Sequence, residues 1–523
     1  MIAQSGGKCK RFGKETAAFS GGGMDNCGRP WYNYDDKVYF PERRKETALV
    51  FTSIVFLLFF LPALLVLYYL PYGRMGMKMR NAVLLLFSLG FYAWGGVRYL
   101  AVLLLSVMIN YFGALAVGKM KDGKIRTAVF ACFVILNFLL LGYYKYLGFA
   151  ADTLGALGIG VTVPSVVLPI GISFFTFQGA SYLIDVYRRD VVCQTNPVCV
   201  ALYVSLFPQL VAGPIVRYTT VENEIMSRSH SLGDFSDGLV RFMLGFGKKL
   251  LLANAMGKVA DGVFASVGGG MNSIPLAWVG AIAYSFQIYF DFSAYSDMAI
   301  GLGRMFGFHF LENFNYPYIA SSVTDFWRRW HISLSSWFRD YLYIPLGGNR
   351  CGKPRQIFNL LVVWGVTGLW HGANMTFVLW GLYFGVLLIL EKFVFARILP
   401  RIPSAVRHIL TLIAVIIGWV LFRSDTVADA GHYLRTMFGG GVFDFRDAVY
   451  YIREYAPEFV LSVIASFPIT AKLKEIADAK RGTSKPVFLA ETVGVKIFAA
   501  AVFVLSFARL VSDSFNPFIY FQF

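Results

Sequence analysis

Charge is what this 523-residue chain has least of: Asp, Glu, Lys and Arg make up 15% of it, against about 25% in an ordinary soluble domain. So few charges cannot cover the three or four water-facing domains that the length alone would suggest at roughly 150 residues each. Acid is scarcer than base, 31 Asp+Glu against 48 Lys+Arg, for a net +17. The six cysteines (Cys9, Cys27, Cys132, Cys193, Cys199, Cys351) form no CxxC pair and have no histidine at zinc-finger spacing, so neither a disulfide framework nor a structural metal is expected. GxSxG, HExxH, P-loop and GxGxxG patterns are all missing, which leaves serine hydrolase, zincin and nucleotide-binding chemistries without support. No bound cofactor is expected.

What the chain does have is apolar surface: 57% of its residues are hydrophobic and 17% aromatic. The basic residues decide between a nucleic-acid partner and a membrane. Arg74, Lys78 and Arg80 form one cluster, and Lys119, Lys121, Lys124 and Arg126 the next, with two apolar runs and only Arg98 between them. That is the positive-inside pattern; it places both clusters on the cytoplasmic side and Arg98 outside, and it argues against nucleic acid.

Residues 1–46 differ from the rest, being polar, Gly-rich and without an apolar stretch. They lack the h-region of a signal peptide and are expected to be a disordered extension ahead of a membrane domain at 47–523. From Thr47 on, runs long enough to cross a hydrocarbon core of roughly 30 Å recur. They lie near 47–70, 81–97, 99–118, 127–147, 165–187, 199–217, 239–262, 276–302, 357–371, 373–392, 406–423, 456–470 and 487–511. The expected fold is therefore all-α, a polytopic transmembrane bundle of about 11–13 spans with re-entrant or interfacial helices. Asp425–Phe438 has helical spacing and is expected at the interface. No internal repeat is evident, which weakens a transporter built on inverted halves.

Ionisable groups at membrane depth are costly and mark function. Residues 357–390 carry one, His371. A straight helix of that length would run about 51 Å, so it must break, and Gly365, Gly368 and Gly372 mark where. Segment 321–350 holds Asp325, Arg328, Arg329, His331, Arg339 and Asp340, too many charges for a lipid-facing span. Phe326, Trp330, Leu334, Trp337 and Tyr341 nevertheless recur on one helical face. The expectation is an interfacial helix with Trp327, Trp330 and Trp337 at headgroup level and His331 capping or pairing with Asp325 or Asp340. Asp291 and Asp297, six residues apart, lie about 120° apart on a helix; structural pairing is expected before a proton relay, and a transporter or flippase using them is the rival reading. Pro169–Gln178 and Phe207–Pro214 mark helix kinks. A neutral imidazole suits proton transfer near neutral pH, so His371 points to acyl transfer, and the residues alone stop at buried histidine-centred chemistry or transport.

The stretches DFWRRWHISLSSWFRDYLYIPLGGNR (325–350) and TGLWHGANMTFVLWGLYFG (367–385) resemble the membrane-bound O-acyltransferase (MBOAT) family, and within it the alginate-type, polysaccharide-modifying branch. LPIGISFFTFQGASYLIDVYRRD (168–190), FPQLVAGPIVRY (207–218) and QIYFDFSAYSDMAIGLGRMFGF (287–308) support it, and the likeness runs in order over about 48–523. The resemblance implies about eleven spans around a tunnel, with His371 catalytic and His331 its companion. It also implies acetyl transfer from cytoplasmic acetyl-CoA, through an extracytoplasmic partner protein, to a polysaccharide at the bacterial cytoplasmic membrane. A second branch of the family moves D-alanine to teichoic acid from a carrier-protein thioester.

Overall fold

The computed structural model describes residues 49–469, 472, 475, 493–513 and 515–519. The expected extension at 1–46, and nearly all of residues 470–492, lie outside the described residues. Among the described residues there is no β-strand, only a lone bridge between Ser273 and Val442.

Among the described residues, six helices are long and apolar enough to cross a membrane: Val97–Lys119, Lys124–Ala156, Leu232–Gly268, Met375–Phe393, Ser404–Arg423 and Val495–Ser512. Of the other expected crossings, Gly76–Trp94, Ile274–Met305 and Lys353–His371 are unbroken helices of 19, 32 and 19 residues, and the rest are shorter or broken. Phe56–Tyr68 and Ala456–Ala465 are short apolar helices. The 165–187 run is helical only from Ile172, because Gly171 takes a left-handed φ of +74° that any side chain would resist. The 199–217 run gives two short helices, Pro197–Ser205 and Phe207–Leu210, split at Leu206. Irregular backbone at this depth survives only where protein satisfies it, and here it does: Phe207 N–H donates to Ser88 Oγ at 3.1 Å and Ile215 N–H to Ser333 Oγ at 3.0 Å.

Two apolar cores result. One joins the N-terminal helices to Ile172–Arg188, residues 197–216 and the end of Ile274–Met305. The other joins Asn254–Gly268, the start of Ile274–Met305 and the helices Met375–Phe393 and Ser404–Arg423. Trp370 and Leu334 belong to the first, Trp330 and Trp380 to the second. The seam between the cores therefore runs through both histidine motifs.

The 357–390 break falls at one place. Helix Lys353–His371, with Pro354 in its first turn, runs straight through Gly365 and Gly368 and ends at Gly372, where the chain is extended. Asn374 then caps Met375–Phe393 by accepting from Thr376 N–H. Gly368 is a packing position rather than a hinge: a Cβ there would lie 2.2 Å from Phe377 O, and one on Gly381 would lie 2.2 Å from Trp364 O.

Candidate active site

The 321–350 segment is two short helices, Val323–Arg329 and Ile332–Phe338. Ser322 Oγ accepts from Asp325 N–H to cap the first. Glu391, at the far end of Met375–Phe393, accepts from Val323 N–H at 2.8 Å and Thr324 N–H at 3.1 Å. A carboxylate on these free N–H groups satisfies them and complements the helix dipole, tying this segment to the helix that follows His371. The indoles are not headgroup anchors: Trp327, Trp330 and Trp337 are 8%, 3% and 5% exposed, because the cores close over them. Helix Val427–Arg435 likewise turns Tyr433 inward, its hydroxyl donating to Ala277 O, and does more than lie at an interface.

His331 stands between the two helices with a left-handed φ of +44°. Such a conformation is uncommon outside glycine, and histidine is among the side chains that accept it more readily. Its cost must be met by the surroundings: Ile332 N–H donates to Asn313 O and Asn315 N–H to Arg329 O, each at 2.9 Å. The turn drives the imidazole inward, where it is 1% exposed. Its partner is neither expected carboxylate. Asp325 pairs with Arg329, Asp340 with Arg217 and Arg339, and His331 Nδ1 lies 3.0 Å from Asn313 Oδ1.

His371, 6% exposed, is the last residue of its helix. Trp370, Trp380 and Phe422 present ring edges or faces to it at centroid distances of 4.9, 5.0 and 5.3 Å. Trp370 also lies 6.0 Å from the His331 ring. One cavity of about 460 Å³ is lined by both histidines, by Trp327, Trp330 and Trp364, and by Thr367, Ser335 and Ser336. Arg328 and Arg339, both exposed, border it. Arg339 and Arg217 pair with Asp340, and Arg188 donates to its backbone carbonyl. Part burial pushes the Asp340 carboxyl up, and hydrogen bonds from Arg339 and Arg217 outweigh it, holding the group below the ordinary carboxylate range. The rim thus keeps an excess of positive charge, suited to an anionic ligand.

Lys145, a lone cation inside an apolar run, joins the site without belonging to either histidine motif. It lies in the π-helical turn Gly142–Tyr146. Its ammonium donates to Trp370 O, and to His371 O and Ser173 Oγ at 3.3 Å. Tyr146 OH donates to Leu369 O at 2.9 Å. Three successive carbonyls that the helix end leaves without partners are thereby satisfied, with a cation at the negative end of the dipole.

The two aspartates are held apart, as their spacing implies. Asp297 pairs with Arg241 at 2.8 Å and Lys248 at 2.7 Å. Asp291 pairs with Lys249 at 2.6 Å, the two side chains 2% and 4% exposed. Neither lines the cavity shared by the histidines.

Residues 193–423 match the family described as "MBOAT, membrane-bound O-acyltransferase family". The chain is 45% identical to the "Probable alginate O-acetylase AlgI" of Pseudomonas syringae pv. tomato, over 75% of this chain and 76% of that protein. It is 39% identical to the protein of the same name from Azotobacter vinelandii, over 91% of this chain and all of the relative. To the "Peptidoglycan O-acetyltransferase" of Helicobacter pylori it is 34% identical, over 74% of this chain and 80% of that protein. With identity at this level over three quarters or more of each relative, and several helices fit to cross a bilayer, the chain belongs to the membrane-bound O-acyltransferase family and is a multi-pass membrane acyltransferase.

Proposed function

We propose that the protein takes an acetyl group from a cytoplasmic thioester, acetyl-CoA, and passes it across the membrane for O-acetylation of an extracytoplasmic polysaccharide, with a secreted-side partner protein completing delivery. His371 is the general base and His331 its companion. The observation that carries this reading is the single cavity bordered by both imidazoles at its depth and by Arg328 and Arg339 at its rim. A cationic rim favours the phosphates of a coenzyme A donor. The names of the relatives, alginate and peptidoglycan acetylating proteins, support a glycan acceptor. All of the Azotobacter vinelandii relative is covered by 91% of this chain, which supports 47–523 as the catalytic body. Asp291, paired with Lys249, and Asp297, paired with Arg241 and Lys248, do not favour transport over acyl transfer.

In the transfer, the acceptor hydroxyl gives its proton to the His371 imidazole as its oxygen bonds to the acyl carbon. The carbon–sulfur bond then breaks, and the departing thiolate takes that proton. General-base catalysis contributes about 10²–10⁴-fold. His371→Ala should therefore cut base-labile acetate on the extracellular polymer to about 1% or less of wild type, with unchanged protein in the membrane fraction by immunoblot. Wild-type acetylation by this variant would end the assignment.

A further inference from the structure

The hydrogen bonds around Asn313 settle which nitrogen of His331 carries the proton. Ser333 N–H, which can only donate, lies 3.2 Å from Asn313 Oδ1. This fixes the amide orientation, with Oδ1 toward residues 331–333 and Nδ2 donating to Ser296 Oγ at 3.0 Å. Ser333 Oγ also donates to Oδ1, at 2.9 Å. His331 Nδ1, 3.0 Å from that same oxygen, must then be a donor, since two lone pairs at this distance repel. The more distant Ser333 Oγ, 3.5 Å from Nδ1, does not compete. A neutral imidazole with Nδ1–H has a bare Nε2. That nitrogen is buried and meets no hydrogen-bond partner among the described residues, on a ring that lines the cavity shared with His371.

We propose that Asn313 is a positioning residue that locks His331 in the Nδ1–H form, so that the ring offers the cavity an acceptor nitrogen, Nε2. The functional half of this rests on the assignment of His331 to the reaction made above. A bare Nε2 receives an O–H or N–H; it cannot donate to the oxyanion that develops on the thioester carbonyl. His331 therefore orients the hydroxyl being acylated, or the His371 ring, and stabilisation of the oxyanion falls to other groups. Asn313 is suited to the task because it holds the turn twice, through its carbonyl to Ile332 N–H and through its side chain to residues 331 and 333.

The direct test is ¹⁵N solid-state NMR of histidine-labelled protein in lipid bilayers, where protonated and bare ring nitrogens resonate far apart. The chain has six histidines, and the His331 signals are those lost in His331→Gln. Wild type should show δ1-protonated His331. Asn313→Asp, which keeps an acceptor oxygen, should retain that form. Asn313→Leu should shift it toward the ε2-protonated form. An ε2-protonated His331 in wild type, or no shift in Asn313→Leu, would overturn the lock.

Turnover is read as thiol release from acetyl-CoA by membrane vesicles. Asn313→Asp should stay within about threefold of wild type, and Asn313→Leu should lose about tenfold or more in kcat with KM for acetyl-CoA within about twofold. Equal losses in a folded Asn313→Asp and in Asn313→Leu would overturn the positioning role. If the spectra behave as expected but His331→Gln turns over at the wild-type rate, the assignment of His331 to the reaction fails while the tautomer lock stands.

Discussion

At the scale of single residues, a histidine in this protein is defined by what fixes its ring. His371 stands out in the sequence as the one ionisable group of an apolar run and His331 as part of a charged, tryptophan-rich motif, but their partners do not, since Asn313 and Lys145 lie outside those motifs. His230 shows the same dependence outside the spans. Arg80 Nη1, always a donor, lies 3.2 Å from its Nδ1, so Nε2–H donates to Tyr68 OH at 2.7 Å. Burial, then the charges of Arg80 and Arg228, lower its pKa from 6.5 to about 4. Between those values the unfolded chain takes up a proton that the folded protein refuses, so this group's contribution to stability falls as pH drops through that window. Protonation would also break the bond from Arg80. His230→Gln should therefore flatten the loss of thermal stability of detergent-solubilised protein between pH 6.5 and about 4; an unchanged pH profile would refute this.

At the scale of elements, helix termini and close contacts place the site. Helix Lys353–His371 ends where it does because Gly372 is extended and Asn374 starts the next helix, and the end is sealed by Lys145 and Tyr146. The pair of helices is held close by Gly368 and Gly381. A methyl group at Gly368 would meet backbone carbonyl oxygen, which cannot rotate away as a side chain can. Gly368→Ala should cost about 1–3 kcal/mol or more by overpacking and displace His371, so both the unfolding temperature and acetyl transfer should fall; a variant with neither loss would show that the helices separate freely. The sequence marked this glycine but suggested a hinge, since composition cannot distinguish a glycine needed for backbone freedom from one needed for lack of a side chain. The 321–350 segment misled in a similar way: its apolar periodicity was real, yet the face it defined meets protein rather than lipid headgroups.

At the scale of the whole molecule, the C-terminal segment closes the bundle. Lys249 donates to Pro517 O while paired with Asp291, and Asp291 accepts from Ile519 N–H at 2.8 Å. Asn254 donates to Phe515 O, and Asn516 to Thr52 O, each at 3.1 Å, so residues 515–519 are tied both to the middle of the chain and to Thr52. Removing one member of a buried ion pair leaves the other charge uncompensated, at a cost of about 3–5 kcal/mol. Asp291→Asn should lower the unfolding temperature markedly, and the double replacement Lys249→Met with Asp291→Leu should recover part of the loss. A single variant as stable as wild type would mean that the pair does not hold the C-terminal segment in place.

The membrane setting, the helical class and the two histidine motifs were determined by sequence alone, because hydropathy and rare buried charge are local properties that neighbouring residues express together. Tertiary structure decided which long runs break, which tryptophans are buried, and which side chain each imidazole and carboxylate meets. Those outcomes depend on contacts between residues far apart in the chain, such as Ile215 with Ser333 or Lys145 with Trp370, and the linear order of residues carries no record of their distances.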